Sequence, residues 1–209
     1  MNENGRLMWL DWVMEIQSLA QAGLTYGRDP YDLERYARLR DIAAEMVAHQ
    51  TELPFDRVKD LFCNETGYQT PKVDTRAAVF DKGRLLLVRE RDGRWSLPGG
   101  WCDVNLSVGE NAVKETLEEA GLRVRAERLI AVQDRNRHNP PPYPYGVVKV
   151  FLLCAPLGGA FIPNPETTER RYFGRDELPE ALSVEKNTKA QILMCFDAAV
   201  SPAWTPCFD

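Results

Sequence analysis

Glu115, Glu118 and Glu119 are the residues whose type and spacing most directly suggest chemistry. Steps of three and four place Glu118 and Glu119 one helical turn beyond Glu115 and on the same side. Carboxylates on neighbouring ridges repel, so a purely structural helix gains nothing from them. A hard cation such as Mg²⁺ or Mn²⁺ reverses that balance, because it takes several oxygen ligands. Just upstream, Leu97-Pro98-Gly99-Gly100 frees the backbone to approach a ligand closely, and the Gly100 carbonyl is a further candidate oxygen. A Glu-rich helix face is often only solvated; the glycine loop beside it is what favours a metal.

The acidic helix needs a start and a stop, and both are legible. Ser107 followed by Glu110 forms a capping box, which predicts a helix beginning near Val108. Gly121 ends it, since glycine enters the left-handed conformation cheaply. The stretch Pro98–Leu122 resembles the Nudix box. Aligned on Gly100, residues Glu115, Glu118, Glu119, Gly121 and Leu122 fall in register, while Leu106 stands where the box has Glu, Lys114 where it has Arg, and Thr116 where it has an aliphatic residue. The resemblance implies an α/β/α sandwich with a mixed sheet. It also implies that Glu115, Glu118 and Glu119 hold the metal with help from Gly100, and that Glu118 and Glu119 serve catalysis. Losing the Glu–Arg pair removes a bidentate clamp that Lys, a point charge, cannot reproduce. Asp103 or Glu110 could compensate, although Glu110 is better explained as part of the cap.

Ahead of the box, apolar positions repeat at helical spacing. A first helix is expected from about residue 5 to 23, with Leu7, Leu10, Val13, Met14, Ile16, Leu19 and Ala20 inside, Gln17 opposite, and Gly23 and Gly27 closing it. Asp29-Pro30 caps a second helix running to about His49, with Leu33, Tyr36, Leu39, Ile42, Ala43 and Met46 as its stripe. Glu52–Cys63 reads as a third, with Phe55, Val58, Leu61 and Phe62 inward. The domains expected are a helical unit over 1–66, a linker over 67–73 and a Nudix domain over 74–209. The N-terminal segment resembles that of a bacterial Nudix group linked to hydrolysis of ADP-ribose and of CDP-alcohols such as CDP-choline. Trp9, Trp12, Tyr26, Tyr31 and Tyr36 are more aromatic surface than a small helical unit buries alone, which predicts a homodimer with these helices in the interface.

Downstream the period becomes that of strands. Arg76–Phe80, Leu85–Val88, Leu122–Val132, Val147–Cys154, a stretch around Phe161 and Arg171–Gly174 read as strands, and Glu185–Val200 as a closing helix. In the long loop between residues 133 and 145, Arg135 and His138 are candidates to neutralise a diphosphate. Lys149, inside an apolar strand, needs solvent or an anion, and Trp101 beside the glycine loop joins the substrate-binding candidates. Glu166 and Glu169 lie in a connecting loop; the resemblance implies that a carboxylate in this region can deprotonate the attacking water, and the candidates for that role are Glu119 and Glu166. His49 reads as a surface residue.

The composition of this 209-residue chain, 44% hydrophobic and 27% charged, fits a globular protein. Its formal net charge of -5 argues against a dominant nucleic-acid grip. Five scattered cysteines without a CxxC pair suggest neither zinc site nor disulfide framework and fit a reducing cytoplasm. No apolar run approaches the roughly 18 residues of a membrane span. The expected reaction is Mg²⁺- or Mn²⁺-assisted hydrolysis of a nucleoside diphosphate linked to a group X. The alternatives are trimming of RNA ends or 3′ nucleotides, and a non-catalytic ADP-ribose sensor.

Overall fold

The computed structural model of the chain describes residues 8–51 and 53–209. Leu7, Glu52 and the side chain of Leu61, each placed in an expected helix, lie outside the described residues. The chain forms two compact units, one reaching to Pro71 and including Tyr143–Gly146, the other comprising Lys72–Pro142 and Val147–Asp209.

In the first unit, α1 (Met8–Tyr26), α2 (Pro30–Thr51) and α3 (Phe55–Phe62) surround a core of Val13, Ala43, Ala44, Val47, Val58 and Phe62. Asp29 Oδ1 accepts the N–H groups of Tyr31 at 2.9 Å and Asp32 at 3.1 Å, capping α2 as expected. Two expectations for α1 need correction. Gln17 is fully buried rather than outward, and Leu19 is 64% exposed rather than inward. The reason is hydrogen bonding: Gln17 Nε2 donates to the Phe62 carbonyl at 3.0 Å and to Gln21 Oε1 at 2.9 Å. A buried amide with partners is tolerated where a hydrophobic period would place an apolar residue. Gly23 does not end α1 but lies within it, where an added Cβ would sit 2.5 Å from the Tyr36 ring; it lets α2 pack closely.

The second unit is built on a mixed sheet. Its strands are β1 (Lys72–Asp81), β2 (Arg84–Glu90), β3 (Trp95–Ser96), β4 (Arg123–Asp134), β5 (Val147–Gly158), β6 (Thr167–Phe173) and β7 (Cys207–Phe208). The order is β3-β2-β1-β5-β4-β7, with β6 paired to β2. Lys72 and Val73, expected in a linker, begin β1. β1 and β5 run parallel, in a register that sets Asp74 opposite Lys149. Successive side chains point to opposite faces, so each central strand feeds two cores. Ala78, Leu85, Leu87 and Phe151 pack with Ile192, Cys195 and Phe196 of α6 (Lys189–Val200). Ala77, Val79, Leu86, Val88, Val150 and Leu152 pack with Ala112 and Ala120 of α4 (Val108–Ala120). Each such aliphatic side chain contributes roughly 1.5–3 kcal/mol on burial, alanine less. The result is a sheet between helices.

Three boundaries differ from expectation. No strand forms around Phe161; β5 instead runs to Gly158 and residues 159–166 are irregular. β6 begins at Thr167, well before Arg171. The closing helix starts at Lys189 because Thr188 and Gln191 form a capping box there. A one-turn helix, α5 (Arg135–His138), follows β4. Among the described residues no helix is long and apolar enough to cross a membrane.

Candidate active site

α4 has the caps its sequence predicts. Glu110 Oε2 accepts the Ser107 N–H at 2.9 Å, Ser107 Oγ accepts the Glu110 N–H at 3.3 Å, and Gly121 closes the helix at φ 59°. Thr116 costs the helix little, because its buried hydroxyl donates to the Ala112 carbonyl at 2.6 Å. The glycine loop ahead of α4 is strapped to β1. Ala77 N donates to Pro98 O and Thr75 N to Gly100 O, each at 2.9 Å. Gly99 has a φ of 143°, and a Cβ there would lie 1.9 Å from the Thr75 carbonyl oxygen, so no other residue fits. The Gly100 carbonyl, expected to serve a metal, accepts one hydrogen bond within this strap and keeps a second lone pair.

The three glutamates occupy different environments. Glu119 is almost wholly buried, and its Oε2 accepts the Gly99 N–H at 2.8 Å. Burial pushes its carboxyl up to about 7 against the opposing pull of the Arg76 charge. The Glu115 side chain is only 12% exposed; burial raises its carboxyl, Lys114 pulls it down, and the negative charges of Glu118 and Glu166 add to the rise. Glu118 is 56% exposed. Lys114 Nζ sits among Asp103 Oδ2 at 3.1 Å, Glu115 Oε1 at 3.2 Å and Glu118 Oε2 at 3.3 Å. These contacts, the hydrogen bond to Asp103 first, raise the lysine's pKa.

The donor set fits a hard divalent cation in its chemistry. Oxygen ligands already converge on an ammonium, and a Cβ at Gly100 would intrude to 2.9 Å from Glu115 Oε2. It is not a closed cage, since among the described residues no three acidic, His or Cys side chains form a ready-made metal shell. Glu115 and Glu118 carry the carboxylates that reach this position, while Glu119 already holds the Gly99 N–H.

Comparison with known proteins decides the family. The NUDIX domain model matches residues 70–194. The chain belongs to the Nudix family of pyrophosphohydrolases. A second model, described as a UDP-X-like, N-terminal oligomerisation domain, matches residues 8–62. YjhB of Bacillus subtilis, provisionally named an ADP-ribose pyrophosphatase, is 43% identical over 96% of this chain and 97% of its own. The crystal structure of an ADP-ribose pyrophosphatase from Streptococcus suis is 51% identical, with a TM-score of 0.63, over 67% of this chain and all of that one. The structure of a UDP-X diphosphatase is 31% identical, with a TM-score of 0.62, over 96% of this chain and 98% of that one.

Within this Nudix domain the altered box acquires a physical account. Lys114 stands for the usual Arg, and its partner is Asp103, not the missing Glu at Leu106; Glu110 is committed to the cap. Glu166 is exposed in the irregular segment, and its backbone N–H donates to Asn164 Oδ1 at 2.9 Å. Glu169 lies in β6 and pairs with Arg171 at 2.7 Å.

Of the expected substrate-binding residues, Lys149, Arg135 and His138 each have partners within the fold. The anion that Lys149 meets is Asp74, across the β1–β5 register. Both are buried, and Asp74 also takes Arg76 at 2.7 Å. Burial, then the Arg76 charge, lowers the Lys149 ammonium to about 8, with Asp74 opposing. Burial alone would raise the Asp74 carboxyl, but Arg76 and Lys149 hold it below the usual range. Arg135 is buried and donates to the carbonyls of Asn139 at 3.2 Å and Pro141 at 2.5 Å, bracing its own loop. His138 Nε2 lies 2.8 Å from Asp209 Oδ1. Trp101 is half exposed and bridges to Asp74 beside the glycine loop. Sequence reasoning missed Asp74 and Arg76, although two charged residues at a step of two in an apolar strand share one face and signal a buried pair.

Proposed function

We propose that this Nudix enzyme hydrolyses the diphosphate bond of a nucleoside diphosphate linked to a second group, with ADP-ribose first among the candidates and UDP-linked compounds and CDP-choline next. The products are a nucleoside monophosphate and the phosphorylated second group, AMP and ribose 5-phosphate in the first case. The observation that carries the reading is the set of carboxylates converging on a cationic position at the open side of α4. Its support for ADP-ribose is the full-length likeness to YjhB and the likeness to the Streptococcus suis enzyme.

Glu115, Glu118 and Glu119 would hold Mg²⁺ or Mn²⁺, which when bound neutralises charge on the diphosphate. Glu166 would take a proton from the attacking water at its carboxylate. It is preferred over Glu119, which this reading gives to the metal and whose Oε2 already accepts the Gly99 N–H. Trp101, exposed at the end of the glycine loop, offers a stacking face to a base. Incubation with ADP-ribose, UDP-glucose and CDP-choline in Mg²⁺ or Mn²⁺, followed by chromatography of nucleoside monophosphates, tests the assignment. AMP release from ADP-ribose is expected; release from none of the three overturns it.

The same reading includes a homodimer in a reducing cytoplasm, where the five cysteines, none in a disulfide, are at home. Met8, Trp12, Leu19 and Tyr26 are exposed along α1 at steps of four, seven and seven, the spacing of a helix–helix seam. Light scattering should give twice the chain mass, reduced by Leu19→Asp. A monomer at micromolar concentration excludes the dimer.

A further inference from the structure

We propose that Asn164 is a positioning residue that fixes Glu166 against the acidic turn of α4, an inference that rests on the role given to Glu166 above. A helix leaves its last carbonyls without partners inside the helix. In α4 these are taken in succession by side chains of a single segment. Asn164 Nδ2 donates to the Glu118 carbonyl at 2.9 Å, Thr167 Oγ1 to that of Glu119 at 2.6 Å, and Arg170 Nη1 to that of Ala120 at 2.7 Å. Two of the residues whose carbonyls are fastened in this way carry metal-site carboxylates on their side chains.

Asn164 does more than finish the helix. Its Oδ1 accepts the N–H groups of both Glu166 and Thr167 at 2.9 Å. Its Nδ2 also donates to Thr167 Oγ1 at 2.8 Å, and its backbone N–H donates to the Thr167 carbonyl at 3.0 Å. One amide therefore holds the backbone of Glu166 on its acceptor side and the backbone of Glu118 on its donor side. Capping α4 needs only the donor; the two acceptor bonds shape the turn that presents Glu166.

The test is a double-variant cycle on the full chain with ADP-ribose, or with whichever nucleotide of the panel is cleaved. Asn164→Ala should lower kcat roughly 10- to 100-fold with little change in KM, the scale of a small misplacement of a reacting group. In a Glu166→Gln background the same change should cost less than about 2-fold, because residues acting through one another are not additive. Arg170→Met, which loosens the same helix end but leaves the turn intact, should stay near the parent rate. An equal loss from Asn164→Ala in both backgrounds overturns the proposal and makes Asn164 a structural cap. Wild-type turnover by Glu166→Gln overturns the role of Glu166 and this inference with it, while leaving the hydrolase reading in place. Circular dichroism establishes that each variant folds. Should the alanine variant not fold, Asn164→Ser, which keeps a short acceptor for the turn but loses the amide donor to the Glu118 carbonyl, should stay within about 2-fold of the parent kcat, and a loss of about 10-fold or more that persists in the Glu166→Gln background overturns the proposal.

Discussion

Lys149 and Lys114 both pair with carboxylates, and their environments drive them in opposite directions. Lys149 is buried with Asp74 and Arg76 under the glycine loop, and burial lowers its ammonium to about 8. Lys114 lies on the open side of α4 among Asp103, Glu115 and Glu118, and those contacts raise it. The chemical pair is the same; access to water differs. In the closed cluster one carboxylate faces two cations, and Arg76 extends its charge to Glu119. In the open cluster three carboxylates face one ammonium, which leaves negative charge in excess. The first arrangement is balanced and fixes a loop. The second is unbalanced in the sense that a divalent cation relieves.

The largest effect expected from breaking this contrast is in the open cluster. Glu118→Gln keeps size and helix propensity but removes a charge, and kcat should fall roughly 10³-fold, about 4 kcal/mol of transition-state stabilisation. Thermal unfolding should barely move, because the side chain is exposed. Near wild-type turnover at saturating Mg²⁺ would remove Glu118 from the metal set.

The closed cluster should respond the other way, in stability. Asp74→Ala leaves Lys149 and Arg76 buried without their shared carboxylate, a loss of about 3 kcal/mol. Lys149→Met should cost less, roughly 1 kcal/mol, since Asp74 keeps Arg76 and the aliphatic stem is replaced in kind. Denaturant midpoints of the two variants decide. Equal losses would mean that the pair, not the carboxylate, organises the cluster.

The same contrast explains what the sequence made legible. The capping box of Ser107 and Glu110, the glycine stop at Gly121 and the glutamates of α4 are local, and local chemistry is enough to place them. The strands of the central sheet were legible because Leu85–Val88 is apolar throughout and Val147–Cys154 is apolar but for Lys149. What the sequence could not show was pairing at a distance. Asp74 meets Lys149 across 75 positions of chain, so Lys149 reads as waiting for a substrate anion when its anion is in the fold. Gln17 looked outward for the same reason, its partner being the Phe62 carbonyl. Asn164-Pro165 signals only a local turn, in which Asn164 Oδ1 meets the N–H groups two and three residues on; the Glu118 carbonyl, 46 positions away, comes within reach only in the folded chain.

The smallest effect expected is at Lys114. Its ammonium occupies a position that the carboxylates Glu115 and Glu118 would also offer to a metal, so lysine and metal would compete for the same oxygens. Its contact with Asp103 nevertheless orients the start of the acidic segment, as a weaker substitute for a bidentate pair. Lys114→Ala therefore has two consequences of opposite sign. Loss of orientation should lower kcat by less than about 10-fold, in keeping with a partly exposed ion pair of roughly 1 kcal/mol. Loss of the competing charge should lower the Mg²⁺ concentration needed for half-maximal activity. A metal titration of the variant beside wild type separates the two. An unchanged or higher Mg²⁺ requirement would show that the lysine helps to assemble the metal site, and a kcat loss as deep as that of Glu118→Gln would place Lys114 in the reaction itself.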